Sequence, residues 1–435
     1  MFALLMKGRH PMNKVCINRR IKFSALATTF LLSLPYNIAV ADDSQLKEEV
    51  KILKQKINLL NKKVDSLSVA GNNNHKNDQK HADNQASQNS FSEIRNSDTI
   101  SSQWTQAASL SHLSGYADAG YVDRRGENAR IFLGHFNPVF HFLYRDLILA
   151  EGELELEVNS EGKTEVALEY ADLGLFLNNY MMLIVGKFQS PLGHFQQNLH
   201  PSWINKLPSP PPGFAHDQAA PASEMGVELR GGLPIKNSSR MTYAVYVSNG
   251  PKAEVEDDEI EEIEGEGLNS DTDGSKVVGG RIGFQPIPNF EIGLSGAIGK
   301  IGLFGSSLID KRDYSVLGAD AVLFLKNLQL RGEIIQQKIS SKAGSDIAGG
   351  KWRGWYGQAS YLFKPTKLEA IIRYGEYASP HATNNFDQCA FGLDYWFAPS
   401  VVVKAAYEIN RAKSKPENGS STIGNAFFLQ LAYGF

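Results

Sequence analysis

The chain has 435 residues, of which 42% are hydrophobic and 21% charged, and its formal net charge at pH 7 is -3. These totals fit a soluble protein of a few domains, and they equally fit a protein whose β-strands turn only alternate side chains toward lipid. The acidic balance argues against a nucleic-acid partner.

Residues 1–41 have the organisation of a secretory signal peptide. Basic residues lie between positions 14 and 22, an apolar run follows at 23–34, and Ala39-Val40-Ala41 supplies a small-residue cleavage site. The apolar run is too short to span a bilayer as a helix. We therefore expect the chain to be exported.

Cleavage before Asp42 would change the composition of the mature chain. It would remove six basic and no acidic residues, so that the net charge of -3 becomes -9. It would also remove Cys16 and leave Cys389 alone, which excludes an intrachain disulfide framework. The sequence leaves the start of translation open between Met1 and Met12.

Residues 44–70 form a predicted helix with an apolar seam. Its apolar residues recur at alternating spacings of four and three: Leu46, Val50, Leu53, Ile57, Leu60, Val64 and Leu67. This heptad pattern favours a coiled coil over an amphipathic helix packed on another domain, and its β-branched and leucine positions favour a parallel dimer. Residues 71–112 are predicted to be a flexible linker, because the stretch to Asn89 is almost without apolar residues.

From residue 113 to 435 the hydrophobic pattern has a period of two. In one segment Phe391, Leu393, Tyr395 and Phe397 alternate with Gly392, Asp394 and Trp396. An alternating strand fits a soluble β-sandwich, where it faces a second sheet, or a membrane barrel, where it faces lipid.

The connections between the predicted strands favour the barrel. The sixteen strands are 113–122, 130–143, 147–158, 164–176, 180–188, 224–232, 240–249, 277–285, 290–299, 314–325, 328–338, 354–364, 368–377, 388–397, 401–410 and 426–435. Connections after even strands are short, whereas most after odd strands are long, for example 189–223 and 250–276. Short turns alternating with long loops are typical of an antiparallel transmembrane β-barrel with both termini in the periplasm. The fold class is therefore all-β, a 16-stranded barrel with a short N-terminal periplasmic coiled-coil helix.

The last strand, 426–435, resembles the C-terminal signal of Gram-negative outer-membrane proteins. Its alternate residues are apolar and the chain ends on the aromatic Phe435. The segment 185–193 resembles the strand-to-loop passage of phosphate-selective-type porins. A coiled coil ahead of such a barrel is similar to siderophore porins of some intracellular Gammaproteobacteria.

The resemblance to the 16-stranded porins covers residues 113–435 and carries several expectations. It implies an outer-membrane location among lipids and lipopolysaccharide, assembly by the barrel-assembly machinery through the C-terminal strand, and passive or facilitated passage. It also implies a homo-oligomer, with a trimer favoured, in conflict with the dimer that the heptad pattern favours.

A sixteen-stranded barrel is wide enough for an aqueous channel. The inward-facing phase assigned to the C-terminal strands contains the proposed pore-lining residues Arg331, Glu333, Glu369, Arg373, Asp394, Lys404 and Glu408. Both signs of charge occur, so the wall lacks the basic ladder that phosphate-selective relatives imply. The simpler interpretation is that these charges solvate the lumen.

The loop 189–223 is the proposed constriction loop. Its seven prolines predict a stiff backbone, and it contains the candidate residues His194, His200, His216 and Asp217. Imidazoles can bind a transition metal, but this spacing matches no ligand motif. We expect ordinary polar lining and no metal.

The loop 250–276 holds eleven acidic residues between Glu254 and Asp273 and no basic residue in that stretch. Such a loop would attract cations to a channel mouth. The start of a calcium loop at Asn269 fails at its twelfth position, Gly280. We expect a solvated, disordered loop.

The function predicted from the sequence is diffusion of small hydrophilic solutes or ions through a porin. The alternative is a ligand-specific receptor or siderophore porin for iron uptake, followed by an adhesin or an outer-membrane enzyme. No short catalytic motif is present, so we expect neither an enzyme nor a cofactor.

Overall fold

A computed structural model describes residues 109–435, except positions 160, 217, 237, 257–258, 266, 272, 305–309 and 415–422. The predicted signal peptide, the coiled coil, most of the linker and Asp217 lie outside the described residues. Over the described ranges, no helix is long and apolar enough to cross a membrane.

The described residues form eighteen β-strands, one short helix and one 3-10 turn. The strands are β1 (Ser109–Arg124), β2 (Arg130–Tyr144), β3 (Ile148–Val158), β4 (Thr164–Asn178), β5 (Met181–Gln189), β6 (Ser223–Pro234), β7 (Arg240–Ser248), β8 (Lys252–Glu256), β9 (Glu259–Glu264), β10 (Val277–Ile287), β11 (Phe290–Phe304), β12 (Asp310–Leu325), β13 (Leu328–Ile339), β14 (Gly350–Phe363), β15 (Leu368–Ala378), β16 (Phe386–Ala398), β17 (Val401–Ala412) and β18 (Ala426–Gly434). The helix α1 is Phe195–Leu199 and the 3-10 turn is Ala382–Asn384.

Sixteen of the strands close into one antiparallel barrel. Each pairs with its neighbours in the chain, except that β7 pairs with β10 across the β8–β9 segment. The first and last strands close the ring from Tyr116 opposite Gly434 to Arg124 opposite Ala426. At the end of this seam Gly115 and Phe435 exchange two backbone hydrogen bonds of 2.9 Å.

The alternating sequence produces a barrel with an apolar outer face. In β18 the alternate residues Leu429, Leu431 and Tyr433 are 46%, 50% and 45% exposed. Phe428, which precedes Leu429 and lies on the other face, is buried. Comparable exposed apolar side chains occur on all sixteen barrel strands. A continuous apolar surface of this kind is matched by lipid and not by water.

The sixteen predicted barrel strands are confirmed, with differences at their ends. The predicted strand 328–338 is observed as Leu328–Ile339, and the strand predicted at 354–364 begins earlier, at Gly350. Strand β1 begins at Ser109, so the last four residues of the predicted linker belong to the barrel.

The expectation of a disordered acidic loop at 250–276 is wrong for its first half. Strands β8 and β9 form an antiparallel hairpin there, and β8 also runs parallel to the end of β11. Ala253, Ile260 and Ile263 are buried, while five glutamates point to solvent: Glu254, Glu256, Glu259, Glu261 and Glu262. The sparse apolar residues of this segment supply enough buried surface to fix the hairpin.

Candidate functional site

The interior of the barrel is partly filled by its own loops. Leu192 and Ala219 from the loop 190–222 and Ile263 from the β8–β9 hairpin belong to one buried apolar cluster. Its other members are Ala253 and Ile260 of the hairpin and residues on the inward faces of β5, β7 and β10 to β15, which include Phe188, Tyr246, Val277, Ile301 and Trp352. The lumen beside these strands is therefore occupied by side chains.

The loop 190–222, which follows β5, lies across the lumen and is held first by Glu333 on β13. The backbone N–H groups of His194 and Phe195 donate to the two carboxylate oxygens of Glu333, at 2.8 and 3.0 Å. The N–H of Gly193 donates to Ser295 Oγ at 3.1 Å. Glu333 is only 5% exposed, so its carboxylate supplies hydrogen-bond acceptors to the backbone N–H groups of the loop in a buried position.

A second anchor lies on β15 and β17. The Arg373 guanidinium donates to the carbonyl oxygens of Ser209 and Pro210 at 3.0 and 3.1 Å, and to Gln388 at 2.8 Å. The Ser209 hydroxyl donates to Glu408. Arg373 is fully buried and Glu408 is 2% exposed, so both charged groups contact the loop and are shielded from water.

Lys404 on β17 forms a third anchor. Its ammonium donates to the backbone carbonyls of Ser202 and Asn205, the latter at 2.7 Å. Asp394 lies opposite Lys404 in the β16–β17 register and Glu369 lies on the other side of Asp394. Lys404 and Asp394 have no exposed surface.

Lys206 completes the anchoring on this side. Its ammonium lies 3.0 Å from Glu369 and 4.7 Å from the centre of the Trp396 ring. Trp396 Nε1 also donates to Glu369 at 2.9 Å. The cation therefore has a carboxylate and an aromatic face as partners.

The loop also contacts the wall formed by β18 and β1 to β3. His200 Nε2 lies 3.8 Å from Glu153, a carboxylate that accepts hydrogen bonds from Tyr116 and Asn137 at 2.8 and 2.9 Å. The Trp203 ring occupies the space that a side chain at Gly434 would need. The loop is thus fixed on both sides of the barrel.

The proposed pore-lining residues lie where the sequence placed them in the strands, but six of the seven are buried. Glu333, Glu369, Arg373, Lys404 and Glu408 contact the loop, and Asp394 lies beside Lys404, as described above. The seventh, Arg331, is partly buried and lines a small cavity of about 150 Å³ together with His194 and Asp320. Their assignment to the pore wall stays a prediction.

The candidate histidines of the loop do not share one position. His194 lies near Glu333, whereas His200 lies near Glu153. Burial lowers the pKa of His194 below its usual range despite the opposing charge of Asp320, so the imidazole is neutral at pH 7. His216 is exposed in the same loop.

A larger cavity of about 470 Å³ lies between α1 and strands β4 to β7, β10 and β11. Its lining includes His194, Gln197, Arg230, Arg281 and Glu291. Arg281 binds Asp320 at 2.6 Å and Glu291 at 3.1 Å. The cavity wall is therefore polar, with paired charges.

Strand β3 presents a row of glutamates that the sequence analysis missed. Glu151, Glu153, Glu155 and Glu157 alternate with small or apolar residues and share the inner face of the barrel. Apart from Glu153, which holds the loop, they retain access to solvent, with side-chain exposures of 22%, 16% and 52%. The alternation in the segment 148–158 is itself a sequence signal for this row.

Several solved structures have a fold similar to that of this chain. An anion-selective porin from Comamonas acidovorans is 16% identical with a TM-score of 0.52 over 75% of this chain and all of that one. The trimer form of OmpT, an outer membrane protein of Vibrio cholerae, is 12% identical with a TM-score of 0.51 over 76% of this chain and all of that one. Salmonella typhi OmpF, solved with daunomycin, is 14% identical with a TM-score of 0.51 over 75% and 97%.

No family model matches the chain, and no curated protein matches it. At these identities the likeness to solved structures concerns the fold. The described residues have the fold of the 16-stranded outer-membrane porins.

Proposed function

We propose that this protein is an outer-membrane channel through which small hydrophilic solutes and ions diffuse, with a preference for cations. The observation that carries the proposal is the solvent-accessible row of Glu151, Glu155 and Glu157 on the inner face of β3. The opposite interior is filled by the loop 190–222 and the hairpin. The remaining aqueous path is therefore bordered by carboxylates on its β3 side.

The charges around this path favour cations. Among the residues that the structure describes, no lysine or arginine forms an ion pair with Glu151, Glu155 or Glu157, whose ion-pair partners are His135 and His141. The cations of the other wall, such as Arg373 and Lys404, are occupied by the loop. Fixed charge of one sign in a narrow aqueous path raises the local concentration of the opposite ion.

The buried charged residues of β13 and β15 to β17 have a different role in this proposal. They hold the loop in place and so set the width of the channel, because their donors and acceptors are directed at its backbone. We place the protein in the outer membrane among lipids and lipopolysaccharide, delivered through its C-terminal strand. The activity proposed is transport, without catalysis and without a cofactor.

The test is the current through planar bilayers under a KCl gradient, in the presence of EDTA. We expect the wild-type reversal potential to show K⁺ preferred over Cl⁻, and the triple variant E151Q/E155Q/E157Q to shift the permeability ratio toward one. The control D146N/E161Q/D346N neutralises the same number of carboxylates in exposed connections and should retain the wild-type ratio.

Two outcomes would contradict the proposal. An anion preference in the wild type, or a triple variant that is indistinguishable from the wild type, would remove the role of the β3 glutamates. Nanomolar binding of a ligand with little conductance would instead support the alternative of a ligand-specific receptor or siderophore porin.

A further inference from the structure

A β-bulge shapes the inner wall in the first half of β2. In the β1–β2 register Ala117 faces Phe136 and Ala119 faces Leu133, so that Asp118 alone is opposite Gly134 and His135. A side chain at position 134 would collide with the Asp118 carboxylate, so the Asp118 side chain can take this position only beside a glycine. Bulges of this kind redirect side chains and are frequent beside functional sites.

The bulge fixes the orientation of the His135 ring. Nδ1 of His135 lies 2.8 Å from Asp118 Oδ2, and the other oxygen of this carboxylate accepts a hydrogen bond from Gln430 at 2.8 Å. Asp118 is only 3% exposed. In the neutral imidazole, a carboxylate that accepts from Nδ1 selects the tautomer in which Nε2 carries no proton and can act as a ligand.

The free nitrogen is directed at two glutamates of the β3 row. His135 Nε2 lies 3.6 Å from Glu155 and 3.8 Å from Glu157. These separations are longer than a good hydrogen bond, but they match two ligands of one ion, each bonded at about 2.0 to 2.2 Å. One ligand atom from each of the three residues lies within 4.8 Å of the others.

The neighbouring strand adds negative charge to the same place. A second bulge in the β3–β4 pair leaves Glu169 without a partner in the register, between Glu153 opposite Tyr170 and Leu154 opposite Leu168. Glu169 acts electrostatically on Glu155. The described lysines and arginines form no ion pair with Glu155, Glu157 or Glu169, so the cluster lacks a compensating cation.

We propose that His135, Glu155 and Glu157 form a binding site for a divalent transition-metal ion on the inner wall, with Asp118 as the positioning residue. One imidazole and two carboxylates suit zinc, cobalt or nickel better than calcium or magnesium, which prefer oxygen ligands throughout. Side-chain exposures of 37% for His135 and 52% for Glu157 leave the ion accessible to water and to further ligands.

The inner wall offers a matched control residue. His141 also faces the lumen on β2, and its Nε2 lies 3.7 Å from Glu151. It has one carboxylate neighbour in place of two, and its Nδ1 is buried without a hydrogen-bond partner. His141 therefore tests whether any inner-wall histidine binds metal.

The experiment is titration of the full-length protein in detergent with ZnCl₂ by calorimetry and with CoCl₂ by visible absorption. We expect one ion per chain. The variant D118N should weaken binding roughly 10- to 100-fold, the range for loss of a carboxylate that supports a metal-bound histidine. H135Q should lose the cobalt absorption of a nitrogen ligand, and H141Q should bind like the wild type.

Several outcomes would overturn the site. They are no zinc binding by the wild type, wild-type affinity in H135Q, or an equal loss in H141Q. Heat-modifiable mobility of each variant in gel electrophoresis shows whether its barrel is folded, and E157Q provides a second ligand variant at a more exposed position. The titration does not depend on ion selectivity, so the site and the proposed channel can fail separately.

Discussion

Glu333 holds the start of the proposed constriction loop against the barrel wall. It accepts two backbone N–H groups in a buried position, and leaving such donors unsatisfied costs about 1–3 kcal/mol each. We expect E333A to release the loop from β13, raise single-channel conductance and lower the temperature of unfolding. Conductance in planar bilayers and a heat-modifiability series measure the two effects.

The control for this prediction is E376Q. Glu376 is also a partnered glutamate of the barrel, but it binds the partly exposed Lys413 and none of the constriction loop. E376Q should retain the wild-type conductance. A wild-type conductance in folded E333A would mean that the contacts of Arg373 and Lys404 are sufficient to hold the loop.

At the scale of elements, the β8–β9 hairpin has buried residues and charged residues with different effects on the channel. Its buried residues fill the interior, whereas its exposed glutamates charge the mouth. The variant with Glu254, Glu256, Glu259, Glu261 and Glu262 changed to Gln should lower cation preference and leave the conductance at high salt nearly unchanged. Surface charges act over about 8 Å in physiological salt and less at high salt.

The matched variant replaces the buried residues, with I260S/I263S. It retains every carboxylate but removes apolar contacts with the cluster that includes Leu192 and Ala219. We expect larger and noisier currents, because the hairpin is no longer fixed against the loop. Recordings over a KCl concentration series distinguish the two variants, and identical behaviour would show that charge and packing are not separable here.

The hairpin also shows what limits a prediction of elements from sequence. The barrel strands have a strict period of two, because one face meets lipid along their whole length, and their bounds were predictable to within a few residues. In β9 the buried Ile260 and Ile263 are three residues apart, and acidic residues dominate. The hairpin is specified by contacts with the interior, which the local pattern does not contain.

The candidate site was predictable in the same unequal way. The long connection after β5 could be predicted from the spacing of the strands, whereas its role as a constriction stays a prediction. The inward phase of residues such as Arg373 followed from alternation. The anchors of this connection could not be predicted, because the contact between His194 and Glu333 joins positions 139 residues apart. The metal-binding arrangement at His135 depends on a bulge, which shifts the strand register at a single position and leaves no periodic signal.

For the whole molecule, the outer surface of β2 to β5 favours an assembly of several copies. It contains an open groove bordered by Phe142, Leu168 and Leu173, with small residues Gly152 and Ala171 along it. In lipid, small residues allow close packing of membrane-spanning surfaces, where apolar character alone gives no driving force. We therefore expect a homo-oligomer that packs through this groove, and the trimer favoured in the sequence analysis stays a prediction.

Native mass spectrometry of the full-length protein in detergent tests the assembly. The variant L173N places an amide in the groove and should shift the mass toward the monomer. L294N is the control, because Leu294 is also a lipid-facing leucine, 69% exposed against 57% for Leu173, but lies on β11. A dimer would instead favour the predicted coiled coil at 44–70 as the determinant of assembly, and an equal loss in L294N would exclude the groove as the specific interface.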